Sequence, residues 1–346
     1  MYKFHRITHV RGFVSIHSAR VVGTGSIGTR YLHSLAAAMT TPPIAVPIGG
    51  VLREASIKDA VILEAPDYSA RPHVDLCVIA SNTNRHLEDA MRYKDSADSL
   101  LIEKPLSFSS DSLRNFDLSY PTHEIAVASP LRFMDGFGVV RGILLDIGEI
   151  LGVNVECRSW LPSWRPGTDF RRSYSADPVQ GGVLLDLVHE IDYCLQLFGT
   201  PTHLAATLNH ESPLGIASES TAHMLWRYGA YDLHMVLDYT SRPPSRCLSI
   251  YGTRKSVVWD VRGASVTIWN HEDESVNVLS FPDDTDRDVV LWRQIDAVAR
   301  RAFDPRISTV AEASLAVVVC DLAKRSSELS SVLLDTHTAL EVPRAG

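Results

Sequence analysis

The stretch ARVVGTGSIG, residues 19–28, limits the possible folds more than any other part of the chain. A short apolar strand runs straight into glycines, and IGTRYLHSLAAAM follows with helical spacing. Gly23, Gly25 and Gly28 stand in the G-x-G-x-x-G spacing between that strand and that helix, the context in which the pattern signals a dinucleotide site. The first glycine permits a tight turn, the second lets a pyrophosphate approach the backbone, and the third lets helix pack on strand. Ser26 and Ile27 open the helix, whose unpaired N–H groups and positive dipole favour phosphate. An ordinary glycine-rich turn is the plainer alternative.

The alternation continues downstream. IAVPI reads as a second strand and VDLCVIA as a third, apolar throughout as buried parallel strands are. NRHLEDAMRY is helical again, and SLLIEKP closes on a further strand. Strict strand–helix alternation predicts a doubly wound parallel sheet, placed over residues 19–128. After Ser129 the pattern changes to a helix near GFGVVRGILLDIG, a Pro- and Arg-rich loop, and an apolar helix. Several β-rich runs follow, among them TAHMLWRY, YDLHMVLDY and SVVWDV. These predict a second α/β domain with a mostly antiparallel sheet over residues 129–346. Two helical segments, VVLWRQIDAVARRAF and TVAEASLAVVVCDLAKRSSEL, end it.

Composition narrows the classes. A chain of 346 residues that is 45% hydrophobic and 21% charged can bury two sizeable cores. Its net charge of -8 argues against a nucleic-acid partner, which selects basic faces. Five scattered cysteines without a C-x-x-C pair fit reduced thiols in a cytoplasm, with neither a disulfide framework nor a metal site. No apolar run approaches the ~18 residues of a membrane helix. Residues 1–18 read as an amino-terminal extension without the apolar region of a secretory signal; a transit peptide is the alternative, since no acid precedes Glu54.

An NAD site usually carries an acid at the end of the second strand for the ribose diol. Here that strand ends VPIGGVLRE, with Gly49 and Gly50 in that place and Arg53 beyond. The absence of a carboxylate there favours NADP, leaving NAD and dual use open.

Two pieces of chain carry candidate chemistry. LLIEKP puts Glu103, Lys104 and Pro105 at the carboxyl end of a parallel strand, where open α/β sheets bind ligands. Lys104 can direct its ammonium at a developing alkoxide or at the nicotinamide ribose. Only six of the 33 basic residues are lysines, so it is not filler from a lysine-rich surface, although a solvated lysine is the bland alternative. In LLDLVHEIDY, residues 184–193, Asp186, His189, Glu190 and Tyr193 fall at i, i+3, i+4 and i+7, one polar stripe on a helix, with Asp192 on its shoulder. A carboxylate one turn from an imidazole can orient it and raise its basicity, as a general base requires. The competing view is a narrow solvated stripe; against it, the stripe lacks the Lys, Arg and Ser of the chain's other polar faces.

Taken in order, the glycine turn, the EKP and the GG-x-L-x-D … H-x-x-D helix resemble the Gfo/Idh/MocA family of sugar and cyclitol oxidoreductases. The resemblance covers nearly everything from Ala19 onward. It implies a Rossmann domain followed by an α/β domain on a large open-faced sheet, with Lys104 and His189 catalytic and Asp186 supporting them. SNTNRH resembles the family segment T-P-x-x-x-H with Asn82 in place of the proline, which implies Ser81, Asn82 and His86 beside the nicotinamide, together with Glu103. One departure concerns the acid, which here precedes the histidine by three residues where many members have four, turning it about 100° round the helix. Asp192 is the alternative orienting group. WLPSWRPGTDFRRSYSAD resembles a subgroup associated with nucleotide sugars. Arginine forks at Arg165, Arg171 and Arg172 suit an anionic group, and Asp169 and Tyr174 suit hydroxyls. A loop stapled by Arg–Asp pairs and stacked tryptophans is the structural alternative.

The expectation is an NAD(P)-dependent oxidoreductase moving hydride between nicotinamide and a secondary alcohol of a sugar, nucleotide sugar or cyclitol. Cofactor-recycling epimerisation or glycoside cleavage, and a non-catalytic NAD(P) sensor, are its rivals. A homodimer or tetramer is also expected, on the argument that the second sheet has an apolar face and too few helices to cover it.

Overall fold

The computed structural model describes residues 16–48, 52, 55–65, 71–116 and 124–336. In chain order, Ala19–Val22 (β1), Ser26–Ala38 (α1), Ile44–Val46 (β2), Ile62–Leu63 (β3), Val74–Ile79 (β4), His86–Tyr93 (α2), Ala97–Ile102 (β5) and Ile125–Val127 (β6) come first. Asp135–Ile143 (α3), Ile150–Trp160 (β7), Val183–Asp186 (α4) and Val188–Phe198 (α5) follow. Next are His203–Asn209 (β8), Thr221–Arg227 (β9), Asp232–Asp238 (β10), Thr240–Gly252 (β11), Lys255–Asp260 (β12), Ser265–Asn270 (β13) and Val276–Ser280 (β14). Arg287–Ala299 (α6), Ser308–Thr309 (β15), Val310–Glu328 (α7) and Leu334–Asp335 (β16) end the series. Contacts divide the chain into two compact units, one of residues 1–106, 117–130 and 288–310, the other of residues 107–116, 131–287 and 311–346.

The first unit is built on a seven-stranded sheet in the order β15-β6-β5-β4-β1-β2-β3. All its pairings are parallel except β15 on β6. The strand order reverses between β1 and β4, the switch point at which doubly wound sheets open a crevice. Continuous burial of Val21, Val22, Leu76, Val78, Leu101 and Ile102 explains the uninterrupted apolar runs, because helices cover both faces of such a sheet. One of those helices is α6. The sequence reading assigned it to the second domain, but Leu291, Trp292, Ile295 and Val298 form one face that enters the core of Val21, Tyr31 and Leu35. Nothing in its own amphipathic pattern says which sheet it covers.

The second unit carries a nine-stranded sheet, β14-β13-β12-β11-β7-β10-β9-β8-β16, in which only β7 and β10 pair in parallel. One face is apolar and is packed by Phe137 and Val140 of α3, Leu184 and Ile191 of α4 and α5, and Val319 and Cys320 of α7. This corrects the argument made for an oligomer, since the chain's own helices already cover the apolar face. The opposite face is mixed and carries His223, His234 and Asn154 exposed. Among the described residues no helix is long and apolar enough to cross a membrane.

Candidate active site

In the first unit the glycine turn is dictated by close approach. A Cβ on Gly23, which has φ +95°, would lie 2.5 Å from the carbonyl oxygen of Ala80, and one on Gly28 would lie 2.0 Å from that of Gly23. Neither position admits a side chain. Gly25 differs, because a Cβ there would meet nothing within 4 Å. Gly25 is also the N-cap of α1, with no side-chain cap and no acid in the first turn, so open space lies over the unpaired N–H groups. Close by, Ser81 at the end of β4 holds a buried hydroxyl with no partner. An anion over the helix terminus is what such a cradle accepts. Gly49, Gly50 and Arg53 lie outside the described residues.

Beside this turn, β5 ends in Glu103, Lys104 and Pro105. Glu103 is buried, and its carboxylate accepts the Tyr31 hydroxyl at 2.7 Å and the Lys104 N–H at 3.2 Å. Burial nonetheless pushes its pKa up. Lys104 is half-buried. His86 lies between two backbone carbonyls, with Nδ1 2.8 Å from Pro105 O and Nε2 3.0 Å from Ser81 O. A neutral imidazole has one N–H to give, so it donates to only one of these two carbonyls at a time. Sequence resemblance implied His86 beside the nicotinamide; both of its ring nitrogens face backbone carbonyls, and the side chain is 2% exposed.

Burial lowers the His86 pKa below the ordinary 6.5 even though both carbonyls pull the other way. As pH falls, the unfolded chain therefore takes up this proton before the native one does. Stability from this group is complete above about pH 6.5 and declines as pH drops below it, by at most ~1.4 kcal/mol per pH unit. Urea unfolding compared at about pH 7.5 and about pH 5.5 should show a larger loss for the wild type than for His86→Gln. Equal losses would assign the acid sensitivity to carboxylates instead.

In the second unit, the predicted single helix is interrupted at Leu187 (φ −98°, ψ 27°), giving α4 and α5. The approach to it is again forced. A Cβ on Gly181 would lie 2.1 Å from the Tyr174 carbonyl oxygen, and one on Gly182, at φ +92°, 2.2 Å from the Glu219 carboxylate. Glu219 satisfies the start of α4 through its carbonyl to the Val183 N–H at 3.0 Å and its carboxylate to the Leu184 N–H at 3.4 Å.

The polar stripe does not survive as one functional face. Glu190, fully buried, is clamped by Arg246 at 2.5 and 2.9 Å. Asp192 receives both arms of buried Arg132 at 2.7 and 2.8 Å, so it is a structural anion committed to that guanidinium and not simply a second orienting group. Tyr193 packs against Phe137 and Trp259 in the core. What remains is Asp186 and His189. From 181 to 190, His189 is the one position that is not buried. Asp186 accepts the hydroxyl of Tyr239, and its carboxylate also acts on the Tyr174 hydroxyl. Burial and the Asp186 carboxylate push both tyrosine hydroxyls well above their usual range, so both stay protonated donors. Sequence reasoning found Tyr174 and missed Tyr239 and Glu219, which no motif marks.

The basic loop mixes both of its alternatives. Asp169 caps a short helical turn by accepting the Arg171 N–H, and Arg171 donates to Leu214 O at 3.1 Å while lying over the Phe170 ring. Arg165 lies over the Tyr174 ring at 5.0 Å, and Trp164 meets Tyr239 edge-on at 5.3 Å. These contacts staple the loop, as the structural alternative held. Arg172 donates its backbone N–H to Asp169 O at 3.1 Å, and its side chain is exposed with no partner among the described residues.

Comparison with known proteins agrees with this architecture. Residues 145–258, within the second unit, match the model of the GFO/IDH/MocA C-terminal domain. Among solved structures, a levoglucosan dehydrogenase in complex with NADH has TM-score 0.76 at 15% identity, covering 92% of this chain and 98% of its own. An oxidoreductase from Agrobacterium radiobacter, in complex with NAD+, L-tartaric acid and magnesium, has TM-score 0.76 at 15% identity, covering 94% and 100%. An inositol dehydrogenase homolog from Azotobacter vinelandii, complexed with NAD+, has TM-score 0.74 at 17% identity, covering 93% and 98%. No curated protein matches the sequence.

Proposed function

We propose that the chain is an NAD(P)-dependent oxidoreductase that transfers hydride between nicotinamide and a secondary alcohol of a sugar, nucleotide sugar or cyclitol. The observation that carries this reading is the open space over Gly25, flanked by two glycines that packing forces and by the unpartnered Ser81 hydroxyl. That cradle fits a dinucleotide pyrophosphate. The dehydrogenases of similar fold, with NADH or NAD+ bound and levoglucosan or inositol in their names, support the reaction class.

Gly23, Gly25, Ser26, Ile27 and Gly28 would hold the pyrophosphate, and Ser81, Asn82 and the Glu103–Lys104 turn the nicotinamide half. When bound, the cofactor supplies a hydride acceptor. His189 takes the hydroxyl proton, and Asp186, held by the Tyr239 hydroxyl, supports that imidazole. The Lys104 ammonium steadies the negative charge that grows on the substrate oxygen. In the second unit Arg172, with Arg165 and Tyr174, offers contacts for an anionic group on the sugar. NADP is favoured over NAD by Gly49, Gly50 and Arg53. A cytoplasmic location and a homodimer or tetramer joined through the mixed sheet face belong to the same reading.

The test is a panel of cyclitols, anhydrosugars and nucleotide sugars offered with NAD+ and with NADP+, read by formation of reduced nicotinamide. Turnover of at least one alcohol, with the lower KM for NADP+, is expected. Binding of neither cofactor would overturn the reading, and a strong NAD+ preference would overturn its NADP element.

A further inference from the structure

Beneath the Lys104 turn, four separate segments of the first unit meet in one chain of hydrogen bonds. The Ser129 N–H, just past β6, donates to Gln294 Oε1 at 2.7 Å. Gln294 on α6 donates through Nε2 to the Tyr31 hydroxyl at 3.4 Å. Tyr31 on α1 donates to Glu103 Oε1 at 2.7 Å, and Glu103 Oε2 accepts the Lys104 N–H at 3.2 Å. Ser129, Gln294, Tyr31 and Glu103 are all buried. Every donor points the same way, toward the carboxylate. The amide of Gln294 cannot be turned over without setting its oxygen against the hydroxyl oxygen's lone pairs and its NH2 against the Ser129 N–H, so the direction is fixed.

We propose that Tyr31 and Gln294 are positioning residues for Lys104, forming a one-way relay that fixes the Glu103 carboxylate and, through it, the main chain of the Lys104 turn. The inference rests on the dehydrogenase reading for its catalytic consequence only; the relay itself is a property of the protein alone. Its physical basis is the cost of a buried carboxylate. Such a group is expensive unless donors converge on it, and two N–H or O–H donors are what the relay supplies. The charged or titratable groups acting on Glu103 are Tyr31 from α1 and Lys104 beside it in the chain; α6 contributes only the neutral amide of Gln294. Tyr31 is itself pushed well above the ordinary tyrosine range by burial and by Glu103, so it remains a donor throughout the working pH range. Because the relay starts on α1, which also carries the glycine turn, it couples the pyrophosphate cradle mechanically to the lysine.

The test uses two variants, Tyr31→Phe, which deletes one oxygen, and Gln294→Leu, which keeps the tyrosine and removes its support. In protein without cofactor, labelled with carbon-13 at the glutamate carboxyls and with the signal assigned through Glu103→Gln, Glu103 should titrate at higher pH in both variants than in wild type. With cofactor and alcohol, kcat should fall about 10-fold while KM for the alcohol changes little, because a displaced turn misplaces the ammonium. A lower thermal midpoint with Glu103 titrating as in wild type and kcat intact would mark Tyr31 and Gln294 as mere packing and overturn the proposal. If both variants shift the titration yet wild type binds no nicotinamide nucleotide, the relay stands and the dehydrogenase reading fails. If wild type turns over normally and neither variant changes titration or kcat, the relay fails and the reading stands.

Discussion

Lys104→Ala and His189→Ala should each lower kcat by ~100-fold or more in the reaction that the panel identifies. In the proposed mechanism both groups act on charge that exists only as the alcohol gives up its proton and hydride, which puts the loss in kcat. Lys104 stands at the carboxyl end of β5, in a turn fixed by Glu103 on one side and by His86 across the Pro105 carbonyl on the other. Lys104→Arg should recover little, since a planar guanidinium replaces a compact point charge in a turn shaped for the latter. Steady-state kinetics of the three variants decide the matter. If the lysine and the imidazole serve one reaction step, the double alanine variant should be little worse than the worse single one. Near-normal turnover in both single variants sinks the assignment.

The second large effect is on stability. Arg246→Met leaves the fully buried Glu190 carboxylate on α5 without its partner. Removing one member of a buried pair strands the other charge, at a cost of roughly 3–5 kcal/mol. The double variant Arg246→Met with Glu190→Met, which removes both charges, should return most of that loss, because a buried ion pair contributes little beyond cancelling its own desolvation. Urea midpoints of the two variants give the comparison. A single variant as stable as wild type would mean that water or a rearranged cation reaches Glu190.

The contrast between these experiments shows how far the chain can be read from its letters. The glycine turn, the parallel strands and the Glu103–Lys104–Pro105 end were legible because each depends on neighbours in sequence: a close approach at Gly23 and Gly28, an uninterrupted apolar run, a strand terminus. The acids of LLDLVHEIDY were not separable in this way. Asp186, Glu190 and Asp192 look alike as letters, and their fates are set by cations and hydroxyls far along the chain, Arg132 sixty residues before Asp192 and Arg246 fifty-six after Glu190. Helical spacing predicted that Asp186 and Tyr193 share a face; the break at Leu187 ended that, and leucine is too good a helix former to announce it. Gln294 and Glu219 were invisible for the same reason. A buried polar residue shows its purpose only once its partner is known.

The path of the polypeptide has a consequence for how the molecule comes into being. Residues up to 130 emerge before residues 288–310 during synthesis, and nascent chains tend to fold amino-terminal units as they appear. Here that cannot run to completion, because α6 and β15 belong to the first unit and lie beyond residue 287. Until they are translated, Tyr31 and Leu35 lack the cover of Leu291, Trp292 and Ile295, and the edge of β6 stays open. A fragment stopped at Pro130 would thus display a greasy flank, making it a substrate for chaperones instead of a free-standing domain.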